Sequence, residues 1–162
     1  MALGGYDWTV LAVESGRALL IARDVVGKRA YHADNEVTTW EACSLRAYLN
    51  GEFLDGFRDG AGRLVLGTEI ANRDNPAYGT AGGGSTTDKV FLLSLDEARL
   101  YFSEDAQRIA RYQGSARWWW LRSPGIRCHA AFVQRDGSIN PHGHRVDYAY
   151  SGVRPALYVA TR

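Results

Sequence analysis

The sequence predicts an α+β fold with sheet at both ends and helices between, and three observations carry that expectation. The first segment alternates in strand fashion and turns back on itself. The middle holds two Ser/Thr-x-x-Glu helix-start signals. The tail returns to short apolar runs separated by turn residues. With 162 residues, 46% hydrophobic and 23% charged, the chain is expected to form one domain, residues 1–162, with a sizeable core. A formal charge of +1 gives no electrostatic case for nucleic acid or an anionic membrane, so neither is expected as a partner.

In chain order, Trp8, Val10 and Ala12 are expected on one strand face and Thr9, Leu11 and Val13 on the other. Glu14-Ser15-Gly16-Arg17 supplies the turn and Ala18 to Ala22 the return strand, with Asp24 to Arg29 extending the sheet. Thr38 and Glu41 have capping-box spacing, and Trp40, Leu45, Tyr48 and Leu49 recur at helical spacing. A helix is predicted there, stopping at Asn50-Gly51. Gly51 to Gly62 reads as a short helix or turn with Phe53, Leu54 and Phe57 inward.

Asn72 to Asp88 is a long loop of small residues, of the kind that is either functional or mobile. Gly82-Gly83-Gly84 lacks the Lys-Ser/Thr of a phosphate-binding loop, and Asp88-Lys89 leads into a strand, so a surface loop is expected. Val90 to Leu93 reads as a buried strand. Ser94 to Glu97 is a second capping box, opening a helix through Phe102. Ser103-Glu104-Asp105 is expected to start a third, reaching Tyr112, with acidic residues at its positive end. In the tail, Trp118 to Gly125 is strand into turn, Ala130 to Val133 a strand, and Asp136-Gly137 a hairpin turn. A short strand near Val146 and the run Gly152 to Val159 close the chain.

Several motifs then occur in order: Thr39-Trp40-Glu41, Leu45-Arg46 with Leu49-Asn50, Thr86 to Ser94, Trp119 to Gly125, Asp136-Gly137, and Gly152 to Ala156. They resemble a bacterial and phage domain family of unknown function, often found in gut bacteria, whose signature is W-L-R-S-P-G followed by G-V-R-P-A. The resemblance runs from Gly5 to Leu157 and carries no assigned activity with it. The closing Gly152-Val153-Arg154, preceded by a Trp-Leu-Arg-Ser strand, is also similar to the end of C-type-lectin-like domains of the formylglycine-generating-enzyme type. That resemblance implies a lectin-like fold in which N- and C-terminal strands meet. It also implies kinship with variable proteins of diversity-generating retroelements, where a reverse transcriptase randomises chosen codons near the C-terminus.

On that implication the tail divides into frame and gaps. The frame is Trp119 to Gly125, Ala130, Ala131, Val133, Asp136, Gly137, Gly143, Val146 and Gly152 to Leu157. The candidate ligand-binding residues are Ile126, Arg127, Cys128, His129, Phe132, Gln134, Arg135 and Ser138 in its first half. Asn140, Pro141, His142, His144, Arg145, Asp147, Tyr148, Tyr150 and Ser151 follow. Tyr148 and Tyr150 would anchor, and Arg127, Arg145 and His142 would adapt.

Chemical motifs are weaker. His142-Gly143-His144 lacks a third metal ligand at fixed spacing, and His129 with Ser123 or Cys128 lacks an orienting carboxylate, so no metal, cofactor or catalytic set is expected. Formylglycine-generating enzymes need paired reactive cysteines; here only Cys128 lies in the tail, and Cys43 falls in a predicted helix. Two buried thiols are expected rather than a bridge. Along the strand that begins at Trp118, either Trp119 with Leu121 or Trp118 with Trp120 should face inward. Arg122 and Arg154 are read as buried guanidiniums tying loops, with Asp88 as a partner.

The expectation is therefore a non-enzymatic module binding a protein or glycan. The rivals are a small enzyme using a cleft near the glycine loop, and a structural module of a surface or phage protein. Met1 to Trp8 shows no signal-peptide pattern and no apolar run reaches spanning length. Direct membrane insertion is not expected. The expected place of action is a cell surface or phage particle as part of a larger assembly, or else the cytoplasm.

Overall fold

In the computed structural model, which describes residues 1–162, the chain opens with β1 (Ala2–Leu3) and β2 (Tyr6–Glu14). β2 turns at Ser15 and Gly16, both at positive φ (47° and 77°), into β3 (Arg17–Ala22). A two-residue connection of this kind matches the right-handed twist of the flanking strands. The hairpin is as expected, but its faces are not. Trp8 is buried but Val10, in regular register two residues on, faces solvent, and a bulge between Val10 and Ala12 then breaks the alternation, with Val13 exposed as well. β4 (Gly27–Lys28) leaves this sheet for a second one instead of extending it.

The Thr38–Glu41 spacing does not start a helix. α1 (Ser44–Tyr48) is capped by Cys43, whose sulfur accepts from the Arg46 amide. Glu41 is drawn away instead: its carboxylate accepts from the Gly84 amide across the fold, 3.1 Å. Asn50-Gly51 does not stop the helix either, since a π-helical turn, Leu49–Phe53, carries it on. Asn50 is a junction. Its amide donates to the carbonyls of Arg46 and Val90, and its oxygen accepts from Lys89 and Val90. Phe53 and Phe57 enter the core, with Leu54 only half-buried.

After the 3-10 turns of Arg58–Leu64 come β5 (Val65–Leu66), β6 (Thr68–Ile70), β7 (Thr86–Asp88) and β8 (Val90–Phe91). Ser94 caps α2 (Leu95–Tyr101) with both capping-box hydrogen bonds made, as expected. α3 (Asp105–Arg108) is shorter than expected. Beyond it the backbone finds tertiary partners: Arg111 donates to the Asp24 carboxylate and its carbonyl accepts from Val25. Residues 110–112 are therefore strand β9 (Ala110–Tyr112), paired with β10 (Ser115–Arg117).

The tail supplies β11 (Trp119–Pro124), β12 (His129–Val133), β13 (Ile139–Arg145), β14 (Gly152–Val153) and β15 (Ala156–Ala160). Two main sheets result. One runs β1-β2-β3-β15-β5, with β8 also on β15; the other runs β13-β12-β11-β14-β4. All their pairings are antiparallel except β11 with β14. The architecture is mixed α and β, mostly antiparallel, with short helices, and a single hydrophobic core joins both sheets. No helix is long and apolar enough to cross a membrane.

Candidate functional site

Each residue of the Trp-Leu-Arg-Ser-Pro-Gly run is enclosed or pins another segment. Trp119 Nε1 donates to the Arg108 carbonyl and Trp120 Nε1 to the Arg29 carbonyl. Both indoles are fully buried, as is Leu121, so β11 has core on both faces and neither expected one-sided pairing applies. Arg122 grips the Glu97 carboxylate with two nitrogens, one at 2.9 Å, and donates to Leu92, Ala71 and Asn72 as well. Ser123 accepts from the Leu95 amide at the start of α2 and so ties the strand to that helix. The Pro124 and Gly125 carbonyls accept from Asn75 and Thr80 of the long loop. That loop is a buttress: Asn75 is buried and also bonds the Pro141 carbonyl.

The Gly-Val-Arg-Pro-Ala run passes from one sheet to the other. Gly152 and Val153 lie in β14 and Ala156 begins β15. A side chain at Gly152 would meet the Trp118 carbonyl at 2.6 Å, so only glycine permits the approach. Arg154 stands at the crossing and donates to the carbonyls of Ala22, Arg23 and Arg108. Burial pulls its pKa down to about 10, a measure of how dry the crossing is. Both arginines are structural, but Asp88 serves neither. Its oxygens take Trp40, Arg46 and Thr86, because β7 points Asp88 toward α1.

The residues between these runs lie on the outer hairpin β12–β13 and the turn after it. Arg127, Gln134, Arg135, His142, Arg145 and Tyr150 are exposed. Ile126, Cys128, His129, Ser138, Asn140, Pro141, His144, Asp147 and Tyr148 are half-buried. One candidate is withdrawn: Ser151 is completely buried beside β14, whereas Phe132, 9% exposed, keeps an open edge on the concavity of the outer face. Several others serve the hairpin itself. Asn140 caps the Gly143 amide, Ser138 closes the Asp136 turn, and Arg145 pairs with Asp147 at 2.8 Å.

The hairpin also gathers an aromatic group. Tyr148 stacks on Trp118 at 5.2 Å and 19°, and Phe132 meets the same indole at 4.6 Å. His144 lies 4.5 Å from Tyr148, and the Tyr150 ring is 5.7 Å from Tyr148. Lys28 of β4 approaches the Tyr150 and Tyr112 rings. Beside this group opens a concavity of about 480 Å3, lined by Trp118, Phe132, His144, Gln134, Arg135 and Asp136. From the sequence it stayed open whether Trp118 faced inward, and neither Lys28 nor Tyr112 was singled out. An indole one position ahead of a fully buried strand was the only available signal.

The histidines fall into three settings. His32, Asp34 and Glu36 bring ligand-type atoms together on one loop. However, His32 Nδ1 accepts the Ser44 amide, so its proton sits on Nε2 and is donated to Glu36, 2.8 Å away. That tautomer has no lone pair left for a cation. His144 belongs to the aromatic group. His129 and His142 face one another at 5.3 Å and 74°. Burial pushes the His129 pKa down and the nearby His142 adds to this, against the Gly143 backbone. Cys43 and Cys128 are both free thiols; Cys43 is buried and Cys128 is only half-buried. Between the start of the long loop (Arg73 to Ala77), α2 and the tail residues Ser123 and Pro141 lies a small cleft of about 120 Å3, and a wider one of about 610 Å3 adjoins it, lined in part by Arg73, Asp96, Glu97 and Arg122.

Residues 15–161 match the family model described as Domain of unknown function (DUF6273), and the chain belongs to that family. No curated protein and no solved structure matches the chain.

Proposed function

We propose that this chain is a ligand-binding or display domain of C-type-lectin-like fold, presenting the outer face of its C-terminal hairpin to a protein or glycan. The carrying observation is the aromatic group of Trp118, His144, Tyr148 and Tyr150 beside an open concavity rimmed by Gln134, Arg135 and Asp136. Rigid aromatic side chains give large contact area at small entropic cost, and polar neighbours supply adaptable hydrogen bonds. The lectin-like part of the reading rests on β15 closing against the N-terminal hairpin while the tail builds a second sheet. The reading assigns this surface neither catalysis nor a cofactor.

The finer form of the proposal is a variable protein of a diversity-generating retroelement. Its support is the division of the tail by burial: Trp119 to Gly125 and Gly152 to Leu157 are enclosed, while most residues between them reach solvent. Substitution at exposed positions costs a fold little. A near-repeat of the segment encoding Ile126 to Ser151, differing at adenines and accompanied by a reverse-transcriptase gene, is expected beside this gene. A locus with neither would sink the finer form.

The surface itself is tested with the Tyr148→Ala/Tyr150→Ala double variant. It is expected to stay folded, losing about 1–2 kcal/mol of unfolding free energy, since Tyr150 is 60% exposed and Tyr148 is half-buried against Trp118. Binding to a glycan array or to immobilised bacterial surface proteins is expected to fall at least about tenfold, or 1.4 kcal/mol. A variant that fails to fold, or that binds like the parent, overturns the assignment.

A further inference from the structure

We propose that His129 and His142 form a two-imidazole site for a borderline divalent transition metal of the Zn2+, Ni2+ or Cu2+ type. The two residues are far from helical or alternating spacing, and the strand pairing alone does not bring them together. In β12–β13 register His129 faces Arg145 and Ala130 faces His144. Gly143 changes the pattern. Its φ of 88° re-aims the residue before it, and a Cβ there would strike the Ala130 carbonyl at 2.4 Å. His142 is thereby turned away from His144 and toward His129.

The ring geometry suits a shared metal. Two imidazoles on one tetrahedral zinc, each with a metal–nitrogen bond of about 2.0–2.1 Å, hold their centroids about 5 Å apart. Here the centroids are 5.3 Å apart with planes at 74°. His142 Nδ1 faces the Gly143 carbonyl at 3.4 Å, which favours the proton on Nδ1 and leaves the Nε2 lone pair free. The Tyr78 ring stands edge-on to His142 at 5.6 Å and steadies it. Tyr78 is itself held by the loop that Asn75 and Thr80 fasten to Pro124, Pro141 and Gly125.

His129 supplies the second ring: its Nδ1, like that of His144, is enclosed with no well-formed hydrogen bond, and the Gly143 and His142 backbone lies beside the His129 ring. An enclosed, unpartnered ring nitrogen is costly unless something binds it. The neighbouring cation does not oppose a metal, because the Arg145 guanidinium is tied to Asp147 through two nitrogens, 3.1 and 2.8 Å. The His32 cluster is arranged differently. That cluster has more ligand-type groups close together, yet its tautomer is fixed the wrong way by the Ser44 amide. A metal held by two protein ligands keeps open positions for water or for a group on a partner.

The test is calorimetric titration of the untagged full chain with Zn2+, with Mg2+ as the hard-cation control. One zinc per chain is expected, and no magnesium. His142→Ala removes an exposed side chain and is expected to keep the fold while weakening zinc at least about tenfold. His129→Ala is expected to do the same, and His32→Ala to leave zinc binding unchanged. Histidine ring resonances of His129 and His142, and not those of His32, should shift on addition of zinc. No zinc uptake by the parent, equal uptake by His142→Ala, or loss of uptake in His32→Ala overturns the site. The Tyr148→Ala/Tyr150→Ala variant should take up zinc like the parent, so this site and the aromatic surface stand or fall separately.

Discussion

β11 and β13 lie in the same sheet, separated only by β12, and are built to opposite ends. All six residues of β11 are buried, and its polar groups are spent on the protein: two indole nitrogens on carbonyls, a guanidinium on Glu97, a serine on α2. β13 is the sheet's edge, and of its seven residues only Gly143 is buried. Ile139 rests on the core, His142 and His144 touch the rings of Tyr78 and Trp118, and the other polar side chains of the strand bond within the hairpin or reach solvent. The difference teaches that a recognisable string of residues marks where the chain is most constrained. The proposed contact with a partner is assigned to residues that the fold leaves less constrained.

The comparison breaks most sharply at Trp119. Replacing this fully enclosed indole by alanine is expected to cost about 4 kcal/mol of unfolding free energy, measured by urea denaturation. A cost below about 1 kcal/mol, in the range of exposed positions, would erase the distinction between the two strands. Arg122→Met is the next largest. It leaves the Glu97 carboxylate and the Leu92 and Ala71 carbonyls without their donor, and about 3 kcal/mol is expected. A neutral outcome would mean that the fork contributes little beyond its packing volume.

The two thiols sharpen the same contrast at a smaller scale. Burial raises the Cys43 pKa from 9.0 to about 12, whereas Cys128 on the outer hairpin is half-buried. For an acid whose pKa is higher folded than unfolded, the unfolded chain loses its proton first. The stability contributed by the protonated Cys43 is therefore whole below pH 9 and is lost as pH climbs toward 12. Cys43→Ala is expected to flatten that alkaline decline. Under native conditions at about pH 8, iodoacetamide should label Cys128 well before Cys43; the reverse order would put Cys43 outside the core.

What could be read in advance was what neighbours in sequence decide. The Ser94 capping box, the Ser15-Gly16 hairpin and the Asp136-Gly137 turn each depend on atoms a few residues apart, and each formed as expected. The same reasoning failed at Thr38, because the Glu41 carboxylate found a better partner in Gly84, 43 residues away. It failed at Asn50, where bonds to Val90 carry the helix past its expected stop. Arg122 and Arg154 were legible as buried cations, but not which acceptors they would meet.

The sequence by itself determined the mixed α and β class, the membership of a domain family of unknown function and the enclosure of the Trp119 to Gly125 and Gly152 to Leu157 runs, since these follow from local turn chemistry, apolar runs and motif order. Asp136, assigned to the same frame, is exposed and rims the concavity. Only the tertiary structure decided that Gly152 to Ala156 crosses between two sheets, and that Trp118, Tyr148 and Tyr150 share one surface. It alone decided that His142 turns to His129 and not to His144. Those outcomes depend on strand register, a bulge and one glycine at positive φ, whose effects are set by packing between segments that are distant in sequence.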